Sequence, residues 1–262
     1  MKKYILLIII LLVGCSTDST SSRDSTVFIN LKAVSTITQG QSIYIPIDSL
    51  EALNIDILRD LEKNNIYLSE AETLLNVSNE RPYNWYIDQG DTGTHGGNNC
   101  GPSASVMAAL WQDKDFELTP QEARGEFRSS GGWWYTDDIK DFFKKHKISF
   151  SVDEYDGTFE LVDTLNAGHI ILLCIDTSYI EEKDEKNSYF GKFYDYDGGH
   201  FLIVKGYTYI KGRLFFEVYD SNCWGETYSD GSPKGKDRLY SGDELEEAIE
   251  IWWDNYFIIE NV

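Results

Sequence analysis

The stretch that most limits how this chain can fold covers residues 98–111. It reads Asn98-Asn99-Cys100-Gly101-Pro102-Ser103-Ala104-Ser105-Val106-Met107-Ala108-Ala109-Leu110-Trp111. Its small and apolar side chains predict a buried helix rather than a surface one. Pro102 suits the first turn, where its missing N–H costs nothing. Cys100 then falls at the helix N-terminus, beneath free N–H groups and the positive end of the helix dipole. Such a setting lowers a thiol pKa and supplies thiolate near neutral pH. The alternative is a cysteine that packs as a small hydrophobe, the common fate of a free thiol. Gly93, Gly96 and Gly97, just upstream, favour the first reading, because glycines let a backbone approach a ligand closely.

A nucleophile needs partners, and the second informative stretch supplies one. Gly198-Gly199-His200-Phe201-Leu202-Ile203-Val204 places a histidine behind two glycines at the mouth of a strand. Lys211-Gly212 then turns into a strand that runs from Arg213 and ends at Tyr219-Asp220. If the two strands pair as a hairpin, His200 and Asp220 meet at one end of the sheet. The carboxylate would there orient the imidazole and stabilise its cation. Gln89, ahead of the cysteine loop, can offer a side-chain amide to an oxyanion, or can be a polar loop residue. Cys223 has no helix behind it and is the poorer nucleophile candidate. His146, at a helix C-terminus, is explained by the dipole alone.

Taken in order, Gln89, Asn99-Cys100-Gly101-Pro102, Gly199-His200 and Tyr219-Asp220 resemble the papain-like cysteine peptidases, and within them the peptidase C39-like family. The segment from Asp220 to Trp224-Gly225 is also similar to the Asn-Ser-Trp-Gly segment of papain, with Asp in place of Asn. The resemblance spans residues 81–262. It implies an α+β, papain-like fold: a helical half carrying Cys100, packed on an antiparallel sheet carrying His200 and Asp220, with the active site between them. It further implies Cys100 as nucleophile, His200 as general base, Asp220 as orienting acid and Gln89 as oxyanion donor, with Asn222 in reserve as the third member. The activity implied is cleavage of a peptide or amide bond in a peptide or protein substrate, through an acyl-enzyme. Acyl transfer by the same thiolate and a non-catalytic binding lipoprotein on the same scaffold are the alternatives. No cofactor or metal is expected.

The rest of the 262 residues sets the context. A hydrophobic fraction of 42%, with seven Trp and seventeen Tyr, supports a true core, and a net charge of −21 excludes the basic footprint that nucleic acid demands. Lys2 and Lys3 precede an apolar run at residues 5–13, too short to span a bilayer but right for a signal peptide. It ends in Leu12-Val13-Gly14-Cys15. This resembles the lipobox of bacterial lipoproteins, with residues 1–14 removed, Cys15 lipidated and residues 15–26 a polar tether. The expected location is therefore outside the cytoplasmic membrane, at the cell membrane or surface, anchored through Cys15. Residues 27–80 read as a small α/β module: strands at 27–31 and 42–47, then a helix with apolar residues at 50, 53, 57, 58 and 61.

Within the main domain, Thr119-Pro120-Gln121-Glu122 predicts a capped helix. Trp133-Trp134-Tyr135 reads as core or as the wall of a peptide groove, with core the more usual place for aromatics, and Thr136 reads as the cap of the next helix. Residues 170–175 form a continuous apolar run, the pattern of a strand buried on both faces, with Cys174 packing inside it. The acidic, Tyr-rich residues 181–197 read as a solvated loop.

Overall fold

The structure, a computed structural model, describes residues 43–45, 66–68, 76–183, 188–210 and 213–262. The expected signal peptide, Cys15, the expected tether, and the strand expected at 27–31 and helix expected at 50–61 lie outside the described residues. The chain divides into two units, Met1–Leu75 with Ile210–Gly212, and Asn76–Tyr209 with Arg213–Val262. In the first, β1 (Ile43–Ile45) lies within the run expected to form a strand, and it pairs in parallel with β2 (Ile66–Leu68).

The second unit is a mixed α/β structure built on an antiparallel sheet. Its elements follow in the order β3 (Asn76–Ser78), α1 (Cys100–Gln112), α2 (Pro120–Glu126), α3 (Thr136–His146), β4 (Phe150–Glu154), α4 (Thr158–Asn166) and β5 (Ile170–Asp176). After them come β6 (Gly199–Ile210), β7 (Arg213–Tyr219), β8 (Arg238–Ser241), α5 (Gly242–Ile249) and β9 (Asn255–Ile259). The strands lie side by side as β4-β9-β5-β6-β7-β8, with β3 antiparallel to β6. The apolar run of β5 is explained by its position. It sits between β9 and β6, and α1, α4 and α5 all pack against it. β6 is the longest strand and is buried at every residue except its two ends. Gly206 admits β3 at its side, since a Cβ there would lie 2.2 Å from the Val77 carbonyl oxygen.

α1 is buried at every position but Leu110 and Gln112, as its small-residue composition demands. α2 and α3 flank it. α2 opens with the expected capping box: Thr119 Oγ1 accepts from the Glu122 N–H, and the Glu122 carboxylate accepts from the Thr119 N–H. α3 differs from expectation by one residue. Its cap position is Tyr135, whose N–H donates to Asp138 at 2.7 Å, and Thr136 is the first helical residue. The aromatic trio at 133–135 also divides: Trp134 enters the core beside Phe127 and Phe142, while Trp133 and Tyr135 stand exposed.

Residues 188–197 are ordered against the sheet instead of forming a solvated loop. Arg238, fully buried on β8, donates to the carbonyls of Ser188, Phe190 and Gly191 and to the Tyr228 hydroxyl. A buried guanidinium needs every donor satisfied, and these carbonyls satisfy it only if the loop lies down over β8. Phe193 is thereby drawn into the core.

Candidate active site

Cys100 is the first residue of α1, 5% exposed, at the edge of a cavity of about 580 Å³. The residue after it must be glycine, because a Cβ at Gly101 would lie 2.8 Å from the Cβ of Trp134. Asn99 occupies the helix cap but does not cap the helix with its side chain. Its carboxamide is turned aside: Nδ2 donates to Thr92 Oγ1 (2.8 Å) and to the Thr92 carbonyl (3.1 Å), and Oδ1 accepts from Arg124 Nε.

His200 is the second residue of β6, opposite Ile175 of β5, and Asp220 directly follows β7, the neighbour of β6 in the sheet. The two meet as the hairpin reading requires, with His200 Nε2 2.8 Å from Asp220 Oδ1. That leaves Nδ1 for the Cys100 thiol, which lies near enough for thiol and imidazole to shift each other's proton affinity. Asp220 is fully buried and accepts three further bonds. Asn222 N–H donates to Oδ1 (2.9 Å), and the hydroxyls of Tyr194 (2.7 Å) and Tyr240 (2.6 Å) donate to Oδ2. A buried carboxylate with four donors stays ionised.

Burial alone would raise the Asp220 carboxyl, but the His200 charge, its hydrogen bond and the other donors hold it far below the usual range. For His200, burial works against the cation, yet the Asp220 charge and hydrogen bond, with Cys100, raise its pKa well above that of a free imidazole. Burial would also raise the Cys100 thiol. The hydrogen bond and charge of His200, aided by the N–H groups of Phe201 and Gly101, outweigh that and lower it. Each group thus favours a thiolate beside an imidazolium.

Gln89 lies in a 3-10 turn (Gln89–Asp91) and lines the same cavity. Its Oε1 accepts from Ser221 Oγ at 3.0 Å, and its Nε2 faces Asn222 Oδ1 at 3.3 Å. Asn222 Oδ1 also accepts from Trp224 Nε1 at 2.6 Å, so its carboxamide serves Gln89 and Trp224, while Asp220 holds the histidine. Asp88 ties these loops together by accepting from the N–H groups of Trp224 (2.9 Å) and Gly225 (2.7 Å). Trp133, Tyr196 and Trp224 form exposed aromatic walls around the opening.

The other cysteines differ in environment. Burial raises the Cys223 thiol, which donates to the Glu226 carbonyl at 3.1 Å. Cys174, half-buried on β5, is pushed up to about 12 by burial and by the nearby Cys100. Among the described residues, no group of three or more His, Cys, Asp or Glu side chains is placed to hold a metal ion. His146 pairs with Glu126 at 2.6 Å, away from the cavity. Sequence spacing did not reveal Tyr194, Tyr240 or Arg124. Tyr194 and Tyr240 come from stretches that carry no motif, and the capping box that announces α2 does not point to Arg124.

No protein-family model and no curated protein matches the chain. Among solved structures, the chain is similar to that of a provisionally assigned C39-like peptidase from Bacillus anthracis. The similarity covers 70% of this chain and 96% of that one, at 12% sequence identity and a TM-score of 0.47. Fold and site together describe a mixed α/β protein with an antiparallel sheet, in which Cys100 and His200 line one cavity and Asp220 lies buried behind His200.

Proposed function

We propose that this chain is a cysteine peptidase that cleaves a peptide or amide bond through an acyl-enzyme on Cys100. The observation that carries the reading is Cys100 and His200 side by side at the wall of one cavity, with the buried Asp220 bonded to the far side of the imidazole. In the first half-reaction the thiolate attacks the substrate carbonyl carbon, and the carbonyl oxygen gains the negative charge. Cys100 N–H and Gln89 Nε2 are the donors for that oxyanion. Collapse of the intermediate breaks the C–N bond, and His200 gives its proton to the departing amine. In the second half-reaction neutral His200 takes a proton from water, and hydroxide attacks the thioester. The carboxylic acid leaves and the thiolate–imidazolium pair returns. Asp220 keeps its charge throughout and orients the imidazole.

The test uses a peptide bearing a thiol-directed electrophile. The parent protein should be labelled at Cys100, and Cys100→Ala should lose the label while unfolding at the parent temperature. Equal labelling of both proteins would end the reading. Product masses, measured with and without added amine, separate hydrolysis from acyl transfer. A stable captured partner without turnover would instead favour the binding-lipoprotein alternative.

A further inference from the structure

Arg124, on α2, is 2% exposed, yet no described carboxylate lies within ion-pair distance of it. Its partners are neutral oxygens: Asn99 Oδ1 on Nε, the Asn98 carbonyl on Nη2 at 2.6 Å and the Arg128 carbonyl on Nη1 at 3.3 Å. Asp138, the acid that acts on it from a distance, is bonded to Arg128 Nε and to the Tyr135 N–H. A buried, unneutralised guanidinium is costly. Here its charge is directed at the two residues that precede the cysteine.

The state of Asn99 shows what this achieves. Asparagine at a helix cap ordinarily turns its side-chain oxygen onto the N–H of the second or third helical residue. Arg124 takes that oxygen, and Thr92 accepts from the amide nitrogen, so Asn99 is clamped from both sides and is fully buried. With Pro102 lacking an N–H, the donors left at the mouth of α1 are those of Cys100 and Gly101. Gly101 N–H already faces the thiol.

We propose that Arg124 is a positioning residue for the nucleophile: its buried guanidinium clamps Asn98 and Asn99 so that the first turn of α1 keeps its N–H groups for the thiolate and the oxyanion, and it adds an uncompensated positive charge beside Cys100. This rests on the reading of Cys100 as the nucleophile. The titratable and charged groups around Cys100 are His200 from β6, backed by Asp220; Cys174 from β5; Tyr196 from the preceding loop; and Arg124 from α2. Two of these are cationic in the working state, and only Arg124 keeps its charge at every accessible pH.

The experiment follows iodoacetamide alkylation of Cys100 across pH, resolved from the other cysteines by peptide mass spectrometry, together with kcat and KM on a peptide substrate. At an effective dielectric of about 20, a unit charge acting over roughly 10 Å moves a pKa by about one unit, which sets the scale expected for Arg124. Arg124→Gln should therefore raise the alkylation midpoint by about one unit and lower kcat about tenfold at neutral pH, with KM nearly unchanged. Arg124→Lys, which keeps the charge but cannot serve both Asn98 and Asn99, should hold the midpoint near that of the parent and still lower kcat. Thr92→Val removes the shorter of the two bonds on the opposite side of the clamp with no change of charge, and should lower kcat at a constant midpoint.

If Arg124→Gln folds and its midpoint does not move, the proposal is overturned. The same holds if Arg124→Lys shifts the midpoint as far as Arg124→Gln does. Should Arg124→Gln fail to fold, the other two variants decide: an unchanged kcat in Thr92→Val, or a raised midpoint in Arg124→Lys, overturns it. The midpoint is read from alkylation alone, so a parent that alkylates at Cys100 but never turns over peptide defeats the peptidase reading and leaves the charge effect measurable.

Discussion

Replacing Asp220 by Asn removes one charge and almost no volume, and the surroundings dictate how the new side chain must sit. Donors face both carboxylate oxygens: His200 and the Asn222 N–H on Oδ1, and two tyrosine hydroxyls on Oδ2. A backbone N–H cannot become an acceptor, whereas a tyrosine hydroxyl can turn and accept. The amide nitrogen introduced by Asp220→Asn therefore goes to the Tyr194 and Tyr240 side, and the amide oxygen keeps His200 and Asn222. Geometry survives and charge alone is lost. A hydrogen bond to a charged acceptor contributes about 1.5–3 kcal/mol and a neutral one about 0.5–1.5, so His200 loses about 1–1.5 kcal/mol of support for its cation. That corresponds to about one pKa unit.

Asp220→Asn should accordingly lower kcat/KM about 10-fold or more at neutral pH and move the alkaline limb of the pH–rate profile down by about one unit. Unfolding should lose no more than about 2 kcal/mol. Asp220→Ala is the contrast: it leaves four buried donors without an acceptor at about 1–3 kcal/mol each, against a total stability of about 5–15. Steady-state kinetics across pH and denaturant unfolding of both variants decide the matter. An Asp220→Asn protein with the parent rate and the parent alkaline limb would refute the reasoning, because the carboxylate charge would then be irrelevant to His200.

Other outcomes can be measured independently of that variant's kinetics. Activity should rise as pH passes the lowered Cys100 thiol value, below the ordinary ~8.5, and fall as His200 loses its proton above the ordinary ~6.5, giving a bell. A profile that climbs steadily into the alkaline range contradicts it. On the acid side, the depressed Asp220 value adds stability that is present above the ordinary ~3.9 and lost as pH falls through the folded value; thermal unfolding of Asp220→Asn should therefore show a shallower acid slope than the parent. Gly101→Ala should lower stability in spite of alanine's better helix propensity: overpacking against buried Trp134 costs about 1–3 kcal/mol, while the propensity gain is about 1. An unchanged melting temperature would show that Trp134 can retreat. Finally, Cys15→Ala should release the protein from the membrane fraction of cells that express it, and an equally membrane-bound variant would exclude lipid on Cys15 as the anchor.

Local chemistry was legible along the chain. The small side chains after Cys100 read as a buried helix, the apolar run of β5 as an interior strand, and Gly199-His200 as a strand mouth, because each pattern expresses a local burial or backbone constraint. Even the meeting of His200 with Asp220 was accessible, since a hairpin brings its two ends together by register alone. What needed the tertiary structure was everything that joins elements distant in sequence. Sequence left both Asp220 and Asn222 as partners for the imidazole; in the fold the Asn222 carboxamide faces Gln89 and Trp224, and Asp220 bonds His200. Tyr194 came from a segment whose acidity read as solvated, and only the buried Arg238, satisfied by that segment's carbonyls, brought it down onto the carboxylate. Arg124 reaches Asn99 across 25 positions. Sequence records the preferences of a residue for its immediate neighbours and for water. Which buried donor answers which buried acceptor depends on packing, and that is decided only when the whole chain has closed around them.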